Sequence, residues 1–280
     1  MPDRGPRQVL QIWRQGVALG ALLLLAACLA PTPGANSRPT TLTVYAAASL
    51  KDVFEAVVAD FEAEHLGTEV LLNLGGSQQL AQQLAEGAPG DLFASANHLQ
   101  MQAVIDAGRV RSDTPRIFAR NKLVVVYPAD NPAGLATFAD LAQPGIKLVI
   151  AAASVPAGEY TLQFLDKAAA SPGSAPGYQE AVLANVVSYE ENVRSVLNKV
   201  ALGEADAGVV YSSDVTPDQR DAVGQLEIPI ELNVVAEYPV AVLTDSAQRA
   251  LAQQFMNYLL TEPAQRRMIE FGFVPLEPNK

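Results

Sequence analysis

The chain has 280 residues, 49% of them hydrophobic and 18% charged, a mixture that belongs to a globular protein and not to a disordered or fibrous one. Its 19 basic and 30 acidic residues give a net charge of −11, which disfavours nucleic acid as a partner, because counterion release at phosphates needs a basic face. The lone cysteine, Cys28, excludes an internal disulfide and any Cys-rich metal site, and His65 and His98 leave little material for a His-based one.

Residues 1–28 read as an export signal. Arg4, Arg7 and Arg14 form a basic start, and residues 17–27 form an apolar stretch too short for a spanning helix of about 20 residues. Leu25-Ala26-Ala27-Cys28 resembles a bacterial lipobox, which implies lipidation of Cys28 and a membrane anchor. Residues 29–40 read as a flexible tether. Removing three arginines and Asp3 with the signal leaves 16 basic and 29 acidic residues, a net charge of −13. It also removes Trp13, the one tryptophan.

The β-rich run 41–47 predicts a strand, with Ser49 just beyond it. Leu50, Val53, Phe54, Val57 and Phe61 then recur at helical spacing to about Glu64. Residues 69–74 make the next strand, and Gly75-Gly76-Ser77 leads into a helix marked by Leu80 and Leu84. Gly87 ends that helix, 91–95 form a third strand, and a third helix runs over about 99–107 to Gly108. The order β-α-β-α-β-α predicts a parallel sheet with helices on its faces. Ligands of such sheets lie beyond the carboxyl ends of the strands, where Ser49 and Ser77 stand, each also a candidate helix N-cap.

A strongly apolar strand over 122–127 opens a second alternating set. A strand at 147–151 leads through Ser154-Val155-Pro156-Ala157-Gly158 into a helix to about Ala170, followed by a surface loop at 171–177. A strand at 186–189 precedes a helix with Val193, Val196, Leu197 and Val200 on one face, and 207–211 is a further strand. A last apolar strand, 237–243, comes before two helical patterns broken at Pro263. Two β/α sets joined by two long apolar strands predict an α/β protein of two lobes. Residues 41–121 with 238–280 form the first lobe, and 122–237 the second.

Signatures of catalysis are scarce. A Ser-His-acid triad needs a histidine beside a serine, but His65 and His98 lie at the ends of polar helices. Gly75-Gly76-Ser77-Gln78-Gln79 lacks the second glycine of a nucleophile elbow, and no Walker A sequence occurs. Glu190-Glu191, and Glu262 with Glu270, read as solvated faces or helix starts. For binding, no tryptophan remains to form a sugar platform, and no acid–arginine pair for an amino acid stands near the strand ends. Those ends supply Ser49, Ser77, Ala157, the Val193 region and Tyr211. Hydroxyls and helix-start N–H groups without formal charge suit a small anion. Taken singly, each has an ordinary explanation: a serine as a cap, Pro156 as a helix starter, Tyr211 as core packing.

The order and spacing of several motifs resemble the periplasmic molybdate-binding proteins of ABC importers over nearly the whole mature length. They include Val44-Tyr45-Ala46-Ala47-Ala48-Ser49-Leu50, the Gly76-Ser77 turn and Gly87-Ala88-Pro89-Gly90-Asp91-Leu92-Phe93. Further on stand Val155-Pro156-Ala157-Gly158, Glu191-Asn192-Val193-Arg194, Gly208-Val209-Val210-Tyr211-Ser212-Ser213-Asp214, Glu237-Tyr238-Pro239-Val240-Ala241-Val242 and Phe271-Gly272-Phe273.

The resemblance implies a type II periplasmic-binding-protein fold whose two lobes, joined by two crossover strands, close on a tetrahedral oxyanion. Ser49 and Ser77 would supply hydroxyl and backbone donors, Ala157 and Val193 backbone N–H groups, and Tyr211 its phenol. Molybdenum would thus be held as molybdate, or tungsten as tungstate, with no cofactor and no catalysis. The protein would be an extracytoplasmic monomer, anchored at Cys28 and delivering its ligand to an ABC permease. The same fold serving sulfate or an organic acid is the nearest alternative, and a secreted enzyme a more distant one. Two features depart from the family pattern. The 171–177 loop lengthens the stretch between Ala157 and Val193, and Glu159 puts a negative charge two residues beyond a proposed donor. Facing solvent, Glu159 would favour the helix start; facing the cleft, it would weaken the assignment. Arg194 is expected to pair with an acid at the lobe interface.

Overall fold

The computed structural model describes residues 39–276. The expected signal, Cys28 and all but the last two tether residues lie outside them. Strand β1 (Thr40–Ala47) runs parallel to β2 (Thr68–Gly75) on one side and β3 (Leu92–Ala94) on the other. Strand β10 (Ala236–Val242) then adds antiparallel to β3 and pairs with β4 (Arg116–Asn121), giving the order β2-β1-β3-β10-β4. The central strands are apolar at nearly every position, Val44, Ala46, Phe93, Val240 and Ala241 all being buried. Strands covered on both faces need that composition.

Helix α1 (Lys51–Glu64) buries Val53, Phe54, Val57, Val58 and Phe61, an i, i+3, i+4 stripe. Phe54 and Phe61 meet Phe255 of α7 (Arg249–Tyr258) edge-on at 6.2 and 5.0 Å. On the opposite face, α2 (Ser77–Ala85) and α3 (His98–Asp106) bury Leu80, Leu84, Met101 and Val104 against Phe93.

The second sheet has the order β7-β6-β8-β5-β9. Strand β6 (Leu148–Ala151) is parallel to β7 (Val186–Glu190) and β8 (Ala207–Tyr211), whereas β5 (Leu123–Pro128) is antiparallel to β8 and β9 (Val223–Glu227). Helices α4 (Pro156–Ala169), α5 (Tyr178–Ala184) and α6 (Val193–Ala201) complete this lobe. Lys122 alone links β4 to β5, and residues 228–235 carry the chain back to β10. The two long apolar strands of the sequence, β5 and β10, are the first laid down after each crossing, and both run antiparallel to their neighbours. The result is two α/β lobes with mixed sheets.

Two strands and one α-helix are among the additions to the sequence reading. Strand β4 carries Arg116, Arg120 and Asn121, which break its apolar pattern. Edge strand β9 (VGQLE) is half polar, and α5 has only seven residues. Pro263 does not interrupt a helix; it stands at the start of α8 (Glu262–Glu270), where its missing N–H costs nothing.

Candidate functional site

Each strand that ends at the seam between the lobes hands the chain to a helix or a tight turn there. Strand β1 runs into a 3-10 turn, Ala48–Leu50, before α1, and β2 reaches α2 through Gly76. In the second lobe β6 leads to α4, β7 leads through Asn192 to α6, and β8 ends at Tyr211. Ser49, Ser77, Ala157, Val193 and Tyr211 line one cavity. The volume of this cavity is about 20 Å³. One water needs roughly 10–15 Å³ by that measure, so the cavity suits a small polyatomic ion and is too small for a sugar or amino acid. Among the described residues, no charged side chain lines it.

The donors follow from local structure. Helices α2, α4 and α6 all begin at the cavity, and the first N–H groups of a helix have no intrahelical acceptor. In α6 the Asn192 side chain accepts from Ser195 N at 3.0 Å, which leaves Val193 N–H outside the cap. In α4, Pro156 takes the first turn, and Val155 makes no side-chain cap beside Ala157. Gly158 lets this helix start sit on the end of β6: a Cβ there would stand 2.0 Å from Ala152 O. Ser49 and Ser77 are not side-chain caps, contrary to the sequence reading. Leu50 and Gly76 hold the cap positions of α1 and α2, and neither makes a side-chain cap bond. The serine hydroxyls turn elsewhere: Ser77 Oγ accepts from Ala96 N at 3.1 Å, and Ser49 Oγ lies 3.0 Å from Tyr238 Oη. Tyr211 is 1% exposed, and its buried hydroxyl has no partner among the described residues. Burial, then neighbouring Tyr238, pushes its phenol well above the usual range, so it is a neutral O–H donor.

Several hydrogen bonds join the lobes across the seam. Gln78 Nε2 donates to Glu191 O at 2.7 Å and Gln79 Nε2 to Glu191 Oε2 at 2.8 Å. Asn97 Nδ2 donates to Glu159 Oε2 at 2.8 Å. Glu159 is partly exposed, does not line the cavity, and bonds an amide of the opposite lobe. Arg194 bonds Asp52 of the first lobe, the acid partner expected of it, and lies 3.5 Å from the buried Asp214 of its own lobe.

Residues 42–274 match the family described as bacterial extracellular solute-binding protein. The chain belongs to this family. It is similar to the molybdate-binding protein ModA of Mycobacterium tuberculosis, 38% identical over 92% of each chain. Among solved structures it resembles the periplasmic molybdate-binding protein of Azotobacter vinelandii, with a TM-score of 0.73 at 21% identity over 84% of this chain and 100% of that one. It also resembles the sulfate-binding protein SubI of Mycobacterium tuberculosis, with a TM-score of 0.77 at 22% identity over 85% and 88%. At those identities the two structures speak for the fold alone.

Other chemistry is remote from the cavity of this solute-binding protein. His65 Nδ1 bonds Phe61 O at 2.9 Å, and His98 Nε2 lies 3.1 Å from Glu237 Oε2, so neither histidine serves Ser49 or Ser77. Among the described residues no group of three His, Cys, Asp or Glu side chains could hold a metal cation, and no helix is long and apolar enough to cross a membrane. Sequence reasoning missed Asn97 at the seam and Asn121 behind the cavity, and named Gly76 and Tyr238 within motifs without giving either a role. Their partners lie 62 to 189 positions away in the chain, beyond the reach of local spacing.

Proposed function

We propose that this solute-binding protein captures molybdate, and tungstate of nearly equal size, between its lobes and delivers it to an ABC importer. A lipid on Cys28 holds the protein outside the cytoplasm, and it acts as a monomer. Ser49 and Ser77 give hydroxyl and backbone donors, Ala157 and Val193 their N–H groups, and Tyr211 its phenol. The observation that carries this reading is a small cavity, free of charged side chains, on which three helix N-termini and an unpartnered phenol converge. Similarity to ModA supports molybdate as the anion.

The net negative charge of the chain is no obstacle. At physiological salt the Debye length is about 8 Å, so remote carboxylates are largely screened, whereas donors touching the anion are not. Glu159 and Glu191 are bonded to amides of the opposite lobe, and the buried Asp214 accepts from Tyr211 N and lies 3.5 Å from Arg194. Hydrogen bonds to a charged group contribute about 1.5–3 kcal/mol each, enough for tight binding after desolvation. Molybdate, tungstate and sulfate carry no proton at neutral pH, but hydrogen phosphate brings an O–H that needs an acceptor, which a donor-only site denies. Because both lobes supply donors, binding favours the closed arrangement, and a permease can read that shift.

Two measurements test the reading. Elemental analysis of the purified protein and calorimetry should find molybdenum or tungsten bound tightly. A response to sulfate with indifference to molybdate would reassign the site to the sulfate binders that share the fold. Replacing Ser49 and Ser77 together with alanine should weaken binding while leaving the fold intact, and wild-type affinity in that variant would mean the site lies elsewhere.

A further inference from the structure

Behind Ser49 lies a chain of buried hydrogen bonds whose direction is fixed at one end. The backbone N–H of Lys122 donates to Asn121 Oδ1 at 3.0 Å, and Ser212 Oγ donates to the same oxygen at 3.0 Å. The Asn121 amide is thereby oriented, and its Nδ2 must be the donor. Nδ2 gives one hydrogen to Ser213 Oγ at 2.7 Å and the other, over a long 3.4 Å, to Tyr238 Oη. A phenol has a single hydrogen. Asn121 Nδ2 cannot accept it, and either hydroxyl of the Tyr238–Ser49 pair could donate; a buried phenol hydrogen left undonated is costly, so we assign it to Ser49 Oγ, 3.0 Å away. Asn121 and Tyr238 are 0% exposed and Ser49 5%, so solvent does not reset the direction. Rings of Phe118, Tyr211 and Phe273 pack edge-on around Tyr238 and hold its hydroxyl in place.

We propose that Tyr238 is a positioning residue: by donating to Ser49 Oγ it forces the Ser49 hydroxyl to act as a donor toward the cavity, and so sets selectivity for unprotonated oxyanions over protonated ones. This rests on the reading of the cavity as an oxyanion site. A serine hydroxyl is otherwise ambivalent, and could rotate to accept from the O–H of hydrogen phosphate. Here one of its two lone pairs is taken by Tyr238, so its hydrogen is left for the cavity and it meets the anion first as a donor. The chain begins where β4 crosses to β5, and Asn121 touches Ser212 and Ser213 of the second lobe and Tyr238 of the first. Ser49 is therefore set from the point about which the lobes are joined.

The test is competitive titration of the full chain with molybdate and with inorganic phosphate. Tyr238→Phe keeps the ring and removes the donor. It should weaken molybdate about tenfold and leave phosphate unchanged or stronger, so that the ratio of the two affinities falls at least as much. On a Ser49→Ala background the same substitution should add nothing, because the two side chains act as one unit. Equal losses for both anions, or effects that add, would reduce Tyr238 to packing and overturn the proposal. Should Tyr238→Phe not fold, Asn121→Asp tests the chain from its other end, since an acceptor there draws the Tyr238 hydrogen away from Ser49. The same fall in the ratio is expected, and an unchanged ratio overturns the proposal. Wild-type protein that binds neither molybdate nor sulfate would defeat the functional reading itself, an outcome distinct from an unchanged ratio.

Discussion

Asn97 Nδ2 and Glu159 Oε2 lie 2.8 Å apart across the seam, tying the start of α3 in one lobe to the first turn of α4 in the other. The same asparagine caps α3, its Oδ1 accepting from Gln100 N at 3.1 Å. Substituting Asn97→Asp keeps an acceptor for the cap but faces Glu159 with a second carboxylate where a donor stood. Loss of the bond and like-charge repulsion together should raise the dissociation rate of molybdate about tenfold or more, with the melting temperature of the ligand-free protein little changed. Surface-binding kinetics would measure it. An unchanged dissociation rate would mean that this bond plays no part in holding the lobes shut.

Gly76 shows how closely the lobes approach. A Cβ at this position would stand 2.5 Å from the backbone oxygen of Glu191 in the opposite lobe and 2.6 Å from Gln78 Nε2, which donates to that oxygen. Gly76→Ala should fold normally, because its backbone is in the ordinary extended region with φ −61°. It should nevertheless wedge the seam and lower molybdate affinity more than tenfold, at a steric cost of roughly 1–3 kcal/mol. Small-angle scattering with saturating molybdate would find the variant more open than the wild type. Matching compact profiles and equal affinities would rule out the wedge.

The alternation of strands and helices was legible in the sequence because central strands are apolar throughout and α1 and α6 carry a clear 3.6-residue stripe. The location of Ser49, Ser77, Ala157, Val193 and Tyr211 was legible for a related reason: each falls where a strand run gives way to a helix start or a turn. Strand β4 was not, because Arg120 and Asn121 serve partners far away, Glu237 and Ser213, and so blur the strand pattern. The orientation of Glu159 was equally hidden. A first-turn acid looks the same in sequence whether it meets water, a ligand or an amide 62 positions earlier in the chain.

Asp214 carries a cost of burial that depends on pH. Its carboxyl is 0% exposed, and burial pushes its pKa up to about 6, against the pull of Arg194 and of the Tyr211 N–H that donates to Oδ2 at 3.0 Å. Because the folded value lies above the unfolded 3.8, the native state binds the extra proton between pH 4 and 6. This group's contribution to stability therefore falls as pH rises through that window, by up to roughly 3 kcal/mol, and is level above it. Asp214→Asn removes the dependence. Urea unfolding from pH 4 to 7 should find the difference between wild type and variant shifting in the variant's favour as pH rises. Parallel curves would show that Asp214 does not titrate in this way.

Tyr211 offers the sharpest separation of stability from binding. Its hydroxyl is buried with no partner among the described residues, so in the ligand-free protein it contributes a desolvation penalty and no bond. Tyr211→Phe keeps the edge-on packing against Tyr238, whose ring centre is 5.9 Å away. Ligand-free stability should hold or rise, by about 1 kcal/mol, because an unsatisfied polar group has been removed. Molybdate affinity should move the opposite way, falling roughly tenfold or more with the loss of one charge-directed hydrogen bond. Thermal melts with and without molybdate measure both effects in one experiment: the ligand-free midpoint stays or climbs, while the upward shift produced by molybdate shrinks. A variant that melts lower without ligand yet keeps the full shift would place the Tyr211 hydroxyl in the packing of the core and outside the anion site.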